Sequence, residues 1–405
     1  MVLEQEDGRF RLVREGSPFV IKGVGGTIRL AELKARGGNA IRTWDAEGIA
    51  PLMDEAHELG LGVMVGIWLE HQRHGYDHSD PEQRRKEIER VERLVKELRH
   101  HPALLGWGVG NELELGGDLD IALEQTQAAA AAIKRLDTDH PTMAVLTEIG
   151  DDKAIRVQRE CPDIDILGIN TYGGAVNLAE RLEQQGFTGA FAVTEFGPLG
   201  HWETGATPWG APFEQTSTEK AEFLRQNYEH TIVENLGTNC VGSFAFLWGH
   251  KQEKTATWFG MMLPTGETLA AVDVLQEMWT GSTPENRAPR VGPLSMPGVE
   301  GLTLEPGQRV RFQLEVSDPD GDPVEVSWRV KPESTDESMG GDFEQTLDPI
   351  ELDIRKVGAA ESVGASAAEI TMPVEEGAYR VFVTVRDGQG HAGTANLPVF
   401  VGDPR

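Results

Sequence analysis

The sequence predicts an α/β protein: a (β/α)8, or TIM, barrel followed by an all-β immunoglobulin-like sandwich. Three observations predict it. Residues 18 to about 280 alternate short apolar runs with amphipathic stretches, and the runs number eight. Each run is apolar with little alternation, as expected of parallel strands buried on both faces. Beyond residue 290 the pattern becomes a period-two alternation broken by Asp/Gly turns, which is the signature of antiparallel strands.

The runs, in order, are Phe19–Val24, Ala40–Thr43, Val63–Ile67, Leu104–Val109, Met143–Leu146, Ile164–Ile169, Phe191–Thr194 and Val241–Leu247. Helical stretches separate them. Glu47 to Leu59 is one, closed by Gly60. Asp80-Pro81-Glu82-Gln83 starts another, with an N-cap, a proline at the first helical position and a box partner. Ile88, Val91, Leu94, Val95 and Leu98 then share a face. A later helix carries Phe223, Leu224, Tyr228 and Ile232 and can end at Gly237. Eight strand–helix repeats over about 260 residues fit a (β/α)8 barrel. An open doubly wound sheet would need a phosphate-binding turn, and Lys22-Gly23-Val24-Gly25-Gly26-Thr27 lacks the required G-x-G-x-x-G spacing. The expected division is a barrel over 1–282, a linker over 283–290 and a sandwich over 291–405. In the sandwich, Val310/Phe312/Leu314/Val316, Val324/Val326/Trp328/Val330 and Val381/Val383/Val385 mark inward faces, and Ser334 to Glu344 reads as a long loop.

Composition narrows the function. The 405 residues hold 37 Lys plus Arg against 66 Asp plus Glu, a formal charge of −29. Such a chain repels phosphate backbones, which excludes nucleic acid as the main partner. No run approaches the length of a membrane helix, so no membrane insertion is expected. The start MVLEQEDGRF has no signal-peptide pattern. Cys161 and Cys240 read as two buried free thiols.

In a barrel of this kind the chemistry belongs at the C-terminal ends of the strands. The residues closing the runs are Arg42, Trp44 and Asp45; Trp68, Glu70 and His71; Asn111 and Glu112; Thr147 and Glu148; Asn170 and Tyr172; Glu195; and Trp248 and His250. A rim rich in carboxylates and tryptophan suits a sugar. Pyranose C–H faces pack on indole, while the hydroxyls need Arg, Asn and carboxylate partners. Trp202 joins Trp44, Trp68 and Trp248 as a candidate sugar contact, with Trp248 favoured as the stacking platform. Glycosidic cleavage needs two carboxyl groups, and Glu112 and Glu195 close the fourth and seventh strands. The histidines of His71–His78 could ligate a metal, and the aspartates of Asp318–Asp322 could take calcium. A substrate-lining loop and a plain Asp-Gly turn are preferred, so no metal and no cofactor is expected.

The run Gly106-Trp107-Gly108-Val109-Gly110-Asn111-Glu112 resembles the strand-four acid/base motif of clan A glycoside hydrolases. Val193-Thr194-Glu195-Phe196-Gly197 resembles their strand-seven nucleophile motif. Asn39-Ala40-Ile41-Arg42 and Gly168-Ile169-Asn170-Thr171-Tyr172 are similar to the strand-two and strand-six motifs. The likeness covers residues 18 to 280, with a texture similar to β-1,3-glucanosyltransferases and β-galactosidase-like barrels, though the cysteines of the fungal transferases are missing. The resemblance implies a retaining β-glycosidase with Glu112 as acid/base and Glu195 as nucleophile. Substrate contacts would come from Arg42, Trp44, Trp68, His71, Asn111, Asn170, Tyr172, Trp202 and Trp248. Within these, Asn111 would hold the hydroxyl at carbon two, and Arg42 and Tyr172 would steady Glu195. The implied partner is a β-linked oligosaccharide or polysaccharide, with β-glucan favoured. A transglycosylase and a non-catalytic carbohydrate-binding barrel are the alternatives. The sandwich and a polymeric substrate suggest a secreted or periplasmic site of action.

Overall fold

The structure, a computed structural model, describes residues 1–150, 152–357 and 363–404. The chain divides into two compact units: Met1–Phe196 with Gln226–Trp248, and Gly197–Arg225 with Gly249–Arg405.

The first unit opens with an antiparallel meander that the sequence reading did not anticipate: β1 (Val2–Glu6), β2 (Arg9–Arg14) and β3 (Ser17–Phe19). Its turns are Asp7-Gly8 and Glu15-Gly16, and all four residues have positive φ, as tight two-residue hairpin turns require. The barrel follows as β4 (Ile21–Gly25), β5 (Ala40–Arg42), β6 (Gly62–Ile67), β7 (Leu104–Val109), β8 (Thr142–Leu146), β9 (Ile166–Asn170), β10 (Ala190–Phe196) and β11 (Cys240–Ala245). These strands are parallel and close in the order β10-β11-β4-β5-β6-β7-β8-β9. The predicted runs and the observed strands agree to within a few residues, because every residue from β5 through β11 is buried. Leu12 joins a core cluster with Ile21, Ala40, Leu105, Ile166, Ala190 and Val241, and Phe10 and Phe19 pack against it. The meander thus caps the N-terminal end of the barrel, where sequence serves stability and not chemistry.

The helix Pro81–Leu98 begins as its sequence dictates, with the Asp80 side chain accepting from the Glu82 N–H at 2.8 Å. Its buried face holds Val91, Leu94, Val95 and Leu98, and also Glu87. That glutamate accepts hydrogen bonds from Tyr76, Gln125 and the Glu70 backbone, so a buried carboxylate pins the loop after β6. Both cysteines are free and buried.

The second unit contains two four-stranded sheets. One is β12 (Arg290–Val291), β14 (Arg309–Ser317), β17 (Val363–Thr371) and β16 (Ile354–Val357). The other is β13 (Thr303–Leu304), β19 (Ala392–Val401), β18 (Gly377–Arg386) and β15 (Glu325–Pro332). Along β14, Val310, Phe312, Leu314 and Val316 point inward, and Val326, Trp328 and Val330 do so along β15, all within one shared apolar core. Residues 333–353 contain no strand. The Asp318 carboxylate accepts the Asp320 and Asp322 N–H groups at 2.9 Å, and Asp320 binds Arg287. This is the chemistry of an aspartate turn.

Candidate active site

β5 ends on Arg42, which is 2% exposed and reaches three partners at once. Its Nη1 donates to the Thr194 carbonyl at 3.1 Å and to Glu195 Oε1 at 2.9 Å, and its Nη2 donates to Asn111 Oδ1 at 2.5 Å. The same guanidinium lies 5.2 Å from the centre of the Trp44 ring, a cation–π distance. Trp44 in turn donates its indole N–H to Glu195 Oε1 at 3.1 Å, and the Tyr172 hydroxyl donates to Oε2 at 3.0 Å. Both oxygens of a buried carboxylate at the end of β10 are therefore fixed by donors, one of them charged, as a buried anion requires.

Glu112 follows β7 on a turn in which Gly110 has φ +70° and Glu112 itself φ +53°. A Cβ on Gly110 would stand 2.9 Å from Leu113 Cδ1, so the turn needs glycine there. Left-handed backbone in a glutamate costs about 1–3 kcal/mol and persists only where its surroundings hold it. Two bonds do so: the Glu112 N–H donates to the Val145 carbonyl at 2.8 Å, and Oε1 accepts from Asn170 Nδ2 at 2.7 Å. Asn170 is itself oriented by the Thr194 hydroxyl, which donates to its Oδ1 at 2.8 Å, while its Nδ2 also approaches Asn111 Oδ1 at 3.3 Å.

The two glutamates are thus joined through Asn170, Asn111 and Arg42, yet their environments differ. Burial pushes the Glu112 carboxyl up to about 7, the Glu195 charge adds to this, and the Asn170 hydrogen bond opposes it. A carboxyl group that holds its proton near neutrality can donate it. The arrangement suits acid/base chemistry at a centre lying between two carboxylates.

Of the residues expected from sequence, Arg42, Trp44, Asn111, Glu112, Asn170, Tyr172 and Glu195 meet in one network. Trp68 and His71 instead stack on each other, with ring centres 4.8 Å apart, and His71 is buried beside His74. Trp202 lies in the second unit, 58% exposed, edge-on to His201. Trp248 corrects an expectation. Its ring is 1% exposed and its N–H donates to the Ile28 carbonyl at 2.8 Å, so it is a packed side chain and not an open stacking face. Trp107 is likewise a core residue, tied to Asp137 at 2.9 Å. Thr194, which sets Asn170, carries no sequence signal of its own beyond lying beside Glu195. Among the described residues no cluster of three His, Cys, Asp or Glu side chains converges to hold a metal.

Residues 39–233 match the family described as glycosyl hydrolases family 2, TIM barrel domain. No curated protein matches the chain. Among solved structures, the chain is similar to the β-glucuronidase of Ruminococcus gnavus, at 18% identity and a TM-score of 0.54, covering 69% of this chain and 53% of that one. The β-glucuronidase of Bifidobacterium dentium, complexed with coumarin-3-O-glucuronide, gives 16% identity, a TM-score of 0.53, and 69% and 49% coverage. An FMN-binding β-glucuronidase from Facaelibacterium prausnitzii L2-6 gives 14% identity and a TM-score of 0.51, covering 98% of this chain and 57% of that one. The chain spans about half the length of these proteins. At such identities the likeness speaks for the fold. Together with the family match over residues 39–233 it supports the architecture described above, a TIM barrel followed by C-terminal all-β sheets.

Proposed function

We propose that the protein is a retaining β-glycosidase acting on uncharged β-linked oligosaccharides or polysaccharides. The observation that carries this reading is the unequal pair. Glu195 is fixed by Arg42, Trp44 and Tyr172, whereas Glu112 is pushed towards its protonated form.

In this reading a Glu195 oxygen attacks the anomeric carbon while the glycosidic C–O bond breaks and the Glu112 proton passes to the leaving oxygen. Once the Glu195 charge is consumed in the glycosyl ester, Glu112 becomes the better base. It then takes a proton from water, which attacks the same carbon and releases Glu195. Asn111 spends its Oδ1 on Arg42 and Asn170, which leaves its NH2 to donate to a hydroxyl on the neighbouring carbon. Arg42, the cation beside these carboxylates, is committed to Glu195 and Asn111, which favours a neutral sugar over a uronic acid. β-Glucan remains the favoured substrate, with action outside the cytoplasm.

The test is a panel of aryl β-glycosides and defined β-linked oligosaccharides, with the first product followed by NMR. A β-anomer released first from a glucoside is the expected result, and an α-anomer released first would overturn the retaining mechanism. Activity confined to glucuronides would overturn the neutral-sugar assignment. Transfer products at high oligosaccharide concentration would place the enzyme among the transglycosylases.

A further inference from the structure

We infer that Glu114, clamped by Thr147 and Lys153, is a positioning residue for Glu112: it ties the turn that carries Glu112 to the end of β8 and sets part of the charge that Glu112 faces. The inference rests on the reading of Glu112 as the acid/base.

Glu114 lies two residues beyond Glu112, and its side chain is 3% exposed. One oxygen, Oε1, takes every donor: the Thr147 N–H at 2.9 Å, the Thr147 hydroxyl at 2.7 Å and Lys153 Nζ at 3.1 Å. Lys153 also donates to the Thr147 hydroxyl at 2.8 Å. The turn itself is closed by bonds from the Leu115 N–H to the Glu112 carbonyl and from the Gly117 N–H to the Glu114 carbonyl. These contacts fasten the turn to the residue that follows β8, and Val145 within β8 receives the Glu112 N–H. The left-handed backbone of Glu112 is thus held on both sides.

Two features go beyond fastening. The second oxygen, Oε2, is buried with no hydrogen-bond partner, a costly arrangement for a charged group. A glutamine could accept the same three donors at one oxygen. In addition, Lys153 is the first residue of the helix Lys153–Glu160, where the helix dipole disfavours a cation. Placing an anion with a bare oxygen beside Glu112, and a cation at the wrong end of a helix to balance it, makes sense if the charges themselves are used. The charged groups that act on Glu112 are Glu195 at the end of β10, Arg42 on β5 and Glu114 on its own turn. The two glutamates favour its protonated form and Arg42 opposes it.

The experiment compares kcat/KM against pH for wild type, Glu114→Gln and Lys153→Met, using aryl β-glycosides with good and poor leaving groups. Glu114→Gln removes an anion and leaves Lys153 uncompensated, so the basic limb should move down by about half a pH unit or more. Its rate loss should be greater for poor leaving groups, which need the proton. Lys153→Met leaves Glu114 uncompensated and should move the limb up. Where Glu114→Gln does not fold, the upward shift in Lys153→Met decides alone. A limb that stays fixed, or moves the wrong way, overturns the inference, and so does an equal loss on both classes of leaving group. Glu112→Gln is the control. A basic limb that persists there removes the acid/base reading itself, whereas a limb that vanishes there yet stays fixed in the other two variants removes only the role of Glu114.

Discussion

A single side chain decides the chemistry at each end of the network. Glu195→Gln keeps the hydrogen-bonding shape but no longer offers an anionic nucleophile, so turnover should be lost while circular dichroism and melting stay native-like. Near-wild-type rates would remove the nucleophile assignment. Glu112→Ala should lose about 10²–10⁴-fold on poor leaving groups, and azide should restore turnover on activated ones through a β-glycosyl azide. An absent or inverted azide product would count against Glu112. The raised Glu112 carboxyl also has a cost in stability. Its ordinary value is 4.5 and its folded value is about 7, so between these values the folded chain holds a proton that the unfolded chain releases. Stability therefore falls as pH rises through that window, and the penalty is complete above it. Glu112→Gln should melt higher than wild type at pH 8 and show no such gain at pH 4. A gain independent of pH would mean that burial of the charge is not the source of the strain.

At the level of the element, the barrel strands were legible because double burial leaves an uninterrupted apolar run, and Glu112 and Glu195 were legible because each is a polar residue closing one. The meander β1–β3 was not legible. Its strands are largely exposed and polar, so no apolar run announced them. The Glu114–Lys153 pair spans 39 residues, and no local pattern connects two residues that meet only when β7 and β8 pair. Trp248 could be placed after its strand, but whether an indole packs or faces a ligand depends on neighbours such as Ile28 that are 220 residues distant. The turn after β7 offers the element's own test. Gly110→Ala puts a Cβ against Leu113 at φ +70°, which should cost about 1–3 kcal/mol in denaturant unfolding and lower kcat by misplacing Glu112. An unchanged kcat would show that the turn tolerates a side chain and that Glu112 is set by other contacts.

At the level of the whole molecule, each of the two compact units is built from two separate stretches of chain. The segment Gly197–Arg225, which begins two residues after Glu195, clusters with the β module, although the sequence places it inside the barrel repeats. Buried polar contacts within that second unit explain the grouping. Arg380 on β18 binds Glu333, Asn396 and the Pro212 carbonyl. Asn396 continues to Glu214, and Glu214 pairs with Lys220 at 2.5 Å. Such a network cannot be read from periodicity, because each residue taken alone looks like a solvated surface charge. Its energetics are nevertheless specific. Burial favours the neutral form of Glu333, and the Arg380 charge works against that. Removing the cation alone strands the anion, which typically costs about 3–5 kcal/mol, whereas replacing both partners by apolar groups is often neutral. Arg380→Met should therefore lower the melting temperature sharply and expose Gly197–Arg225 to limited proteolysis, while Arg380→Met combined with Glu333→Leu should recover much of the loss. If the double variant is as unstable as the sum of the two single ones, the pair is not coupled. The segment after β10 would then be held to the β module by its other contacts, such as that of Asn396 with Glu214.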